Sequence, residues 1–554
     1  MTYPLVIHMA DSVVGQIGDN IYFIFLIRWY EKAWFELKIS PFFHPGLNYP
    51  QGWSLASTDT SLATTLFGFI PSLIAGPTFG YNFAMLLMFA LSGWTMFYWV
   101  LHLTGSRAAG LISGMIYAFL PYRMAHFLIG HMNLSGTAWF PLYFMGLHAL
   151  LSQQDQKNWK YIVMTALSLS LIGFTSMHYL YMTLLISVIW VAAYLLLVDS
   201  HILVEPGFWK RAALTGVLAL PMVLLSMLPF IGLNSQGGLA SRSVSYASMY
   251  SASPTDYLLP STQHFLFGEW IGSHFDRSLW IEATLYIGVV ALVLSVIAVL
   301  RRSQTGQVGL IKVALVVAAA AFILSLGTDF HWLGQRVEVT VPQFLQGILH
   351  RETTPVPMPS LVLFLYLPFY AKMRALMRIG FYLLILSSAV AGIGAAYVLH
   401  KAGPRRAPVI SVLLLVLVFL DFYPGPYTEF SKVAARPVDY WLAGQPGQGA
   451  VIQFPFLQNE DQDQVYNTLI HGKPFVGGFF SANQPEQYLR IRPILENFPN
   501  PEGVETIKQL GVHWLLFDTR KYEDFAPVRI QVEALGFQYI DTIGDQAVFI
   551  TPVD

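Results

Sequence analysis

The stretch IGFYLLILSSAVAGIGAAYVLHKAGPRRAPVISVLLLVLVFLDFYP, residues 379–424, is two apolar runs, 379–399 and 407–424, on either side of a short basic break, KAGPRR. A helix crossing the ~30 Å hydrocarbon core of a bilayer needs roughly 20 apolar residues, so each run reads as a span. Loops rich in Lys and Arg stay on the inner side, which places Lys401, Arg405 and Arg406 there. This hairpin sets the fold class, an α-helical polytopic membrane protein, and gives an orientation from which the remaining spans can be counted.

Working outward, further spans are expected at 79–102, 134–151, 178–198, 211–232, 282–300 and 309–327, with two shorter ones at 108–122 and 160–176, about ten in all. Arg107, Lys157 with Lys160, Lys210 with Arg211, and Arg301 with Arg302 mark the other inner connections. The pattern alternates only if 62–76 and 357–370, short and carrying Pro71, Pro357, Pro359 and Pro368, do not cross. They are expected to be re-entrant or interfacial pieces of the outer loops. Residues 12–78, 122–133, 233–281 and 328–378 then lie outside. TYPLVIHMA at the start reads as the last turns of a first spanning helix whose beginning is missing. Composition agrees: 55% of the 554 residues are hydrophobic and 11% charged, against roughly 25% charged in soluble domains. The net charge of −1 gives no basic surface for nucleic acid, and the absence of cysteine excludes disulfides and thiolate chemistry.

From Tyr427 onward the pattern changes. GAVIQFPF (449–456), VHWLLFDT (512–519), FQYIDT (537–542) and QAVFIT (546–551) alternate like strands, with YLRIRPILENF and GVETIKQL helical between them. The expected division is a transmembrane domain at 1–424 and a small outer α/β domain at 425–554.

Polar and ionisable residues collect in the outer loops, where long structured segments hold sites. In DSVVGQIGDNIYFIFLIRWYEKAWFEL, Asp19 follows a glycine; it is placed to act as a general base, to bind a metal or a cation, or simply to cap the helix opening at Asn20. Asp59 is a second catalytic carboxylate candidate, or a cap for the apolar segment that follows it. In FLPYRMAHFLIGHMNLSG, Arg123, His126 and His131 suit a lipid-linked phosphate, or else a snorkelling arginine with hydrogen-bonded histidines. The five-residue interval between His126 and His131 is one off the i, i+4 spacing of helical zinc ligands. The loop 233–281 and the run after it supply Tyr246, His264 and Glu282 as cavity-lining groups, although Glu282 also suits a helix N-terminus. In LPFYAKMRALMRIGFY, Arg374 and Arg378 stand four apart, so on a helix they share a face and can grip one phosphate. Walker A, dinucleotide-binding, HExxH and nucleophile-elbow signatures are all missing from the sequence.

In order of features the chain resembles the GT-C superfamily of membrane glycosyltransferases, and within it the bacterial YfhO-like group. The stretches that carry the likeness are GQIGDNIYFIFLIRWY, NYPQGW, GLISGMIYAFLPYRMAHFLIGHMNL, PTDYLLPSTQHFLFG, LPFYAKMRALMRIGFY and HGKPFVGGFF. The resemblance implies a hexosyl- or pentosyltransferase of the bacterial inner membrane, serving the cell envelope. It would move a sugar, with inversion, from a polyprenyl-phosphate donor to a glycan, lipid or protein acceptor on the outer face. Asp19 matches the first-loop acid that such enzymes use as base, although Asn20 stands where many have a second acid. The donor phosphate would fall to Arg374 and Arg378, or to Arg123 with His126 and His131. The likeness leaves room for a divalent metal without calling for one. Other readings of the same chain are a non-catalytic scaffold or accessory subunit of an envelope assembly, and a transporter of lipid-linked saccharides. Broken helices and internal symmetry, which favour a transporter, are not evident.

Overall fold

The structure, a computed structural model, describes residues 2–55, 60–152, 159–235, 241–276, 279–344, 346, 350–427, 429–457, 461–480 and 484–551. It is a mostly α-helical, multi-span membrane protein with a C-terminal mixed α/β region. The helices Pro77–Thr104, Met177–Leu197, Pro206–Ser235 and Val308–Ser325, together with the segment Leu376–Phe422, are long and apolar enough to cross a bilayer. That last segment is broken at Gly403, where φ 74° and ψ 169° leave the helical region inside the basic break. Glycine tolerates this conformation, and Pro404 then restarts the helix.

Several helices begin or end away from the edges of their apolar runs, and local chemistry accounts for each. Arg107–Ala118 stops short of 122 because Leu120 precedes Pro121, and a residue before proline avoids the helical region. Phe140–Leu151 starts later than 134, with Pro141 in its first turn. Val289–Leu300 replaces the expected 282–300. Its start is set from another helix: Asp421 Oδ2 accepts the Val290 N–H at 3.2 Å, while Tyr286 Oη donates to Asp421 Oδ1 at 2.8 Å. Residues 282–288 are thereby left non-helical, and Glu282 is free to turn inward. At the N-terminus, Leu5–Ile7 is a single 3-10 turn rather than the end of an α-helix.

The helix Leu62–Ala75 has 14 residues and Pro359–Tyr366 has 8. At 1.5 Å per residue these are about 21 and 12 Å long, less than a ~30 Å hydrocarbon core. Gly76, at φ 88°, turns the first of them back against Pro77–Thr104. Gly68 and Gly80 face each other across this pair so closely that a Cβ on either would meet the opposing backbone.

In the C-terminal region the strands Gln538–Ile543, Gln546–Ile550, Val512–Asp518 and Ala450–Phe454 form one sheet in that spatial order. The first three are antiparallel, and Ala450–Phe454 adds in parallel along Val512–Asp518. Leu515, Phe517, Ile452, Phe454 and Phe549 fill the core beneath it. Main-chain bonds tie this region to the first loop. Ser12–Val14 pairs antiparallel with Phe430–Lys432. Asn48 N donates to Gly477 O at 2.9 Å, Tyr49 N to Phe475 O at 3.1 Å, and Phe475 N to Gly46 O at 2.7 Å. The Asp19 helix, Asp19–Glu31, is therefore covered from above, with the Tyr22 and Phe479 rings 4.6 Å apart.

Candidate functional site

Asp19 is the first residue of its helix, and its neighbour does the local capping. Asn20 Oδ1 accepts the Gly18 N–H at 2.9 Å, and Asn20 Nδ2 donates to Gln16 O at 2.9 Å. The Asp19 carboxylate is left facing outward toward the short helix Pro121–Leu128 and the turn after it. Gly130, at φ 77°, closes that turn, and a Cβ there would run into the Asn20 backbone. His131 N donates to His126 O at 2.9 Å, which brings the two imidazoles together.

From this start a continuous line of polar groups runs inward. His131 Nε2 lies 3.3 Å from Asp19 Oδ2. The His131 and His126 Nδ1 atoms are 2.8 Å apart. Because a hydrogen bond needs one donor and one acceptor, the two rings hold different protonation patterns. His126 Nε2 is 3.8 Å from Glu282 Oε2. Glu282 takes Arg378 in a forked pair, with Nε at 2.9 and 3.2 Å and the terminal nitrogen also in contact. Side-chain exposure falls along the line, from 36% at Asp19 to 20% at His131 and 0% at His126. Beyond His126, Glu282 and Arg378 are also buried, at 9% and 8%. Burial alone would raise the Glu282 carboxyl, but the Arg378 guanidinium against it holds it well below the usual carboxylate range. Burial also pushes the His126 imidazole well below its ordinary value, so that ring is neutral at pH 7. Tyr122 packs edge-on against His126 at 4.4 Å and meets the Tyr179 hydroxyl at 3.3 Å.

Asp19, His131, His126, Glu282 and Arg378, all singled out in the sequence, thus lie in one chain of contacts. The other candidates lie elsewhere. Arg123 is fully buried and committed to main-chain carbonyls, those of Ala118, Met88 at 3.2 Å and Ser135 at 3.3 Å, with its guanidinium 4.5 Å from the Phe89 ring. It ties the ends of two helices, at Ala118 and Ser135, to the middle of Pro77–Thr104 at Met88. Arg374 and Arg378 do not share a helical face, because Ala375 between them is extended at φ −125° and ψ 101°. Arg374 is exposed and donates to the Tyr250 hydroxyl at 3.0 Å. Tyr246 stands beside Tyr250, ring centroids 5.4 Å apart. His264 is buried, its Nδ1 accepting the Leu266 and Phe267 N–H groups at 3.1 and 3.3 Å. It lines a small separate cleft with Ala125, Tyr286 and Tyr427. Asp59 lies outside the described residues. Tyr122 and Tyr250 went unnoticed in the sequence; the four-residue interval of Arg242, Tyr246 and Tyr250 is the signal that would have found the second.

The same chain offers a donor set for a divalent cation. His126, His131 and Glu282 each present a ligand atom, all within 4.8 Å of one another. His126 Nε2 is buried without a hydrogen-bond partner, as a nitrogen awaiting a ligand would be. Two imidazoles and a carboxylate suit zinc or a similar borderline ion, so the residues fit a metal.

A model of the family described as DUF6311, a domain of unknown function, matches residues 11–351. No curated protein matches the chain. Among solved structures, it is similar to the oligosaccharyltransferase AglB from Archaeoglobus fulgidus, in complex with an inhibitory peptide and a dolichol-phosphate. The two are 11% identical over 97% of this chain and 70% of AglB, with a TM-score of 0.50. The apo form of the Archaeoglobus fulgidus oligosaccharyltransferase gives 11% identity over 92% and 66%, with a TM-score of 0.51. The arabinofuranosyltransferase AftD from Mycobacteria gives 13% identity and a TM-score of 0.51 over 98% of this chain, which spans 40% of AftD's length. At these identities the likeness is one of fold alone.

Proposed function

The chain belongs to the DUF6311 family, and from that premise and its fold we propose that it is a GT-C-type glycosyltransferase. The sugar comes from a polyprenyl-phosphate donor in the bacterial inner membrane and passes, with inversion, to an acceptor on the outer face. The YfhO-like grouping and the division into a membrane domain at 1–424 and an outer domain at 425–554 belong to the same proposal.

One observation carries it: the most exposed group of the polar chain is a carboxylate, and the chain behind it is anchored by a buried ion pair. Asp19 accepts the proton of the acceptor hydroxyl as the oxygen attacks the anomeric carbon, and the bond to the lipid phosphate breaks. His131, at 3.3 Å, holds the carboxylate's orientation. Glu282 and Arg378 fix the inner end of the line, so the base does not drift from a near-attack position. A divalent cation, when bound by His126, His131 and Glu282, would supply Lewis-acid stabilisation of oxygen charge there. An accessory scaffold would have no need of these groups in one line, and their convergence favours the enzyme.

The test is donor discharge. The full chain in lipid nanodiscs is incubated with polyprenyl-phosphate sugars and candidate acceptors, and release of polyprenyl phosphate is followed by mass spectrometry. Time-dependent release with mass gain on an acceptor is the expected result. Donors that bind yet are never discharged, across hexose and pentose forms, would favour the scaffold.

A further inference from the structure

The loop 258–276 carries large apolar side chains on its surface while its backbone is held firmly in place. Leu258 is 61% exposed, Leu266 65% and Trp270 53%, with Phe265 and Phe267 exposed beside them. The His264 imidazole caps the turn that bears Leu266 and Phe267, and Gly268 N donates to His264 O at 2.7 Å. A Cβ on Gly268 would collide with the Thr262 carbonyl, so glycine lets the short helix Gly268–His274 start against it. Ile271 on that helix is buried. At the far end Asp276 Oδ2 accepts Gln335 Nε2 at 2.8 Å, which ties the loop to the hairpin of His331–Trp332 and Gln335–Arg336. The loop meets the membrane-spanning part at a defined height. Phe265 N donates to Tyr423 O at 3.2 Å, and the two rings lie 5.5 Å apart. Tyr423 directly follows the span 404–422, whose flank exposes Leu413, Leu417 and Leu420. The exposed side chains of the loop therefore lie at the level where that lipid-facing surface ends. An exposed apolar cluster marks a contact surface, and Trp, Phe and Leu at the end of a span are the side chains of a bilayer interface.

We propose that Leu258, Phe265, Leu266, Phe267 and Trp270 form a foot that rests in the lipid leaflet at the Tyr423 end of the span. Apolar side chains at such a boundary sink about 5–10 Å below the headgroups. The foot does not cross: Gly268–His274 has 7 residues, about 10 Å of helix against a ~30 Å hydrocarbon core. His264 joins the foot to the small cleft described above, whose opposite wall is Met124, Ala125 and Leu128 of the helix that carries His126. Lipid contact thereby steadies the cleft wall, and the helix beside it, relative to the membrane surface.

The chain has no cysteine, so single reporters can be placed without background. Leu266→Cys, Leu413→Cys and Asp524→Cys are each labelled with nitrobenzoxadiazole in the full chain, in phosphatidylcholine nanodiscs. The quenchers are lipids bearing a nitroxide near the headgroup or near the chain end, and aqueous iodide. The reporter at 266 should lose most of its emission to the shallow nitroxide and little to iodide. The reporter at 413 should respond to the deep nitroxide, and the one at 524, on the exposed surface of the C-terminal region, to iodide alone. Phe267→Ser with Trp270→Ser should move the 266 reporter toward iodide and leave the thermal unfolding midpoint in detergent unchanged, because both side chains are exposed. Iodide quenching at 266 equal to that at 524 would overturn the foot. So would deep quenching equal to that at 413, which would mark a crossing segment. A double variant that leaves the 266 reporter where it was, or that unfolds at lower temperature, would overturn it as well, the latter by assigning these side chains to the protein core.

Discussion

Arg378 and Arg374 are four residues apart, and the fold uses them in opposite ways. Arg378 is buried, forked onto Glu282, and closes a line of contacts that begins at Asp19. Arg374 is exposed, stacked on a tyrosine, and has no carboxylate partner among the described residues. The difference comes from the extended Ala375, which turns the chain so that the two side chains leave in different directions. A charge that is buried and paired is committed to the fold, while one that is exposed and stacked leaves donors facing solvent.

The largest expected effect is on the buried side. Arg378→Met leaves Glu282 in a site from which its counter-ion is gone, and breaking a buried pair in this way costs about 3–5 kcal/mol. Thermal unfolding in detergent should show it, and adding Glu282→Gln should recover part of the loss. An unchanged midpoint would mean that the pair does not anchor the chain.

A further effect, absent at neutral pH and confined to acid, is expected where the first loop meets the C-terminal region. His44 is pushed down to about 3 by burial and by Lys32 nearby. His471 is pushed down to about 4, mainly by burial, with Arg436, Lys473 and Lys32 adding to it and Asp439 opposing. Both are neutral when folded and have ordinary values near 6.5 when unfolded. In acid the unfolded state therefore binds more protons, and stability present above pH 6.5 is lost as the pH falls toward 4. Each pH unit in that window costs roughly 1.4 kcal/mol per histidine. The amides joining Gly46 and Asn48 to Phe475 and Gly477 should be less protected, relative to their intrinsic exchange rates, at pH 5 than at pH 7. In His44→Gln, His471→Gln that pH dependence should flatten; an unaltered profile would place the acid sensitivity elsewhere.

The smallest effect belongs to the exposed arginine. Arg374→Met should change unfolding stability by less than about 1 kcal/mol, as exposed charges do. A loss as large as that of Arg378→Met would erase the contrast between the two.

Much of this was legible in the sequence because apolar length and Lys/Arg bias speak directly to spans. The two runs around KAGPRR meet at Gly403 as two helices. Asp19, His126, His131, Glu282 and Arg378 stood out because ionisable groups in an apolar chain are conspicuous. What pairs with what was not legible. Glu282 reaches Arg378 from the non-helical stretch before Val289–Leu300, whose first turn is capped by Asp421 from far along the chain. Arg123 looked like a ligand group, yet it serves carbonyls of three separate segments, a tertiary role with no local signature. The shared helical face of Arg374 and Arg378 failed at one extended residue, which spacing alone does not reveal.

The central claim, that Asp19 is the base at the outer end of the buried line, is tested most directly by a single-turnover assay. Wild type and Asp19→Asn are loaded with the same polyprenyl-phosphate sugar at saturating donor, and its discharge to acceptor is followed. The account predicts equal donor binding, and discharge slowed by about 10²–10⁴-fold in the variant, the range of a lost general base. Discharge by Asp19→Asn at the wild-type rate would contradict it.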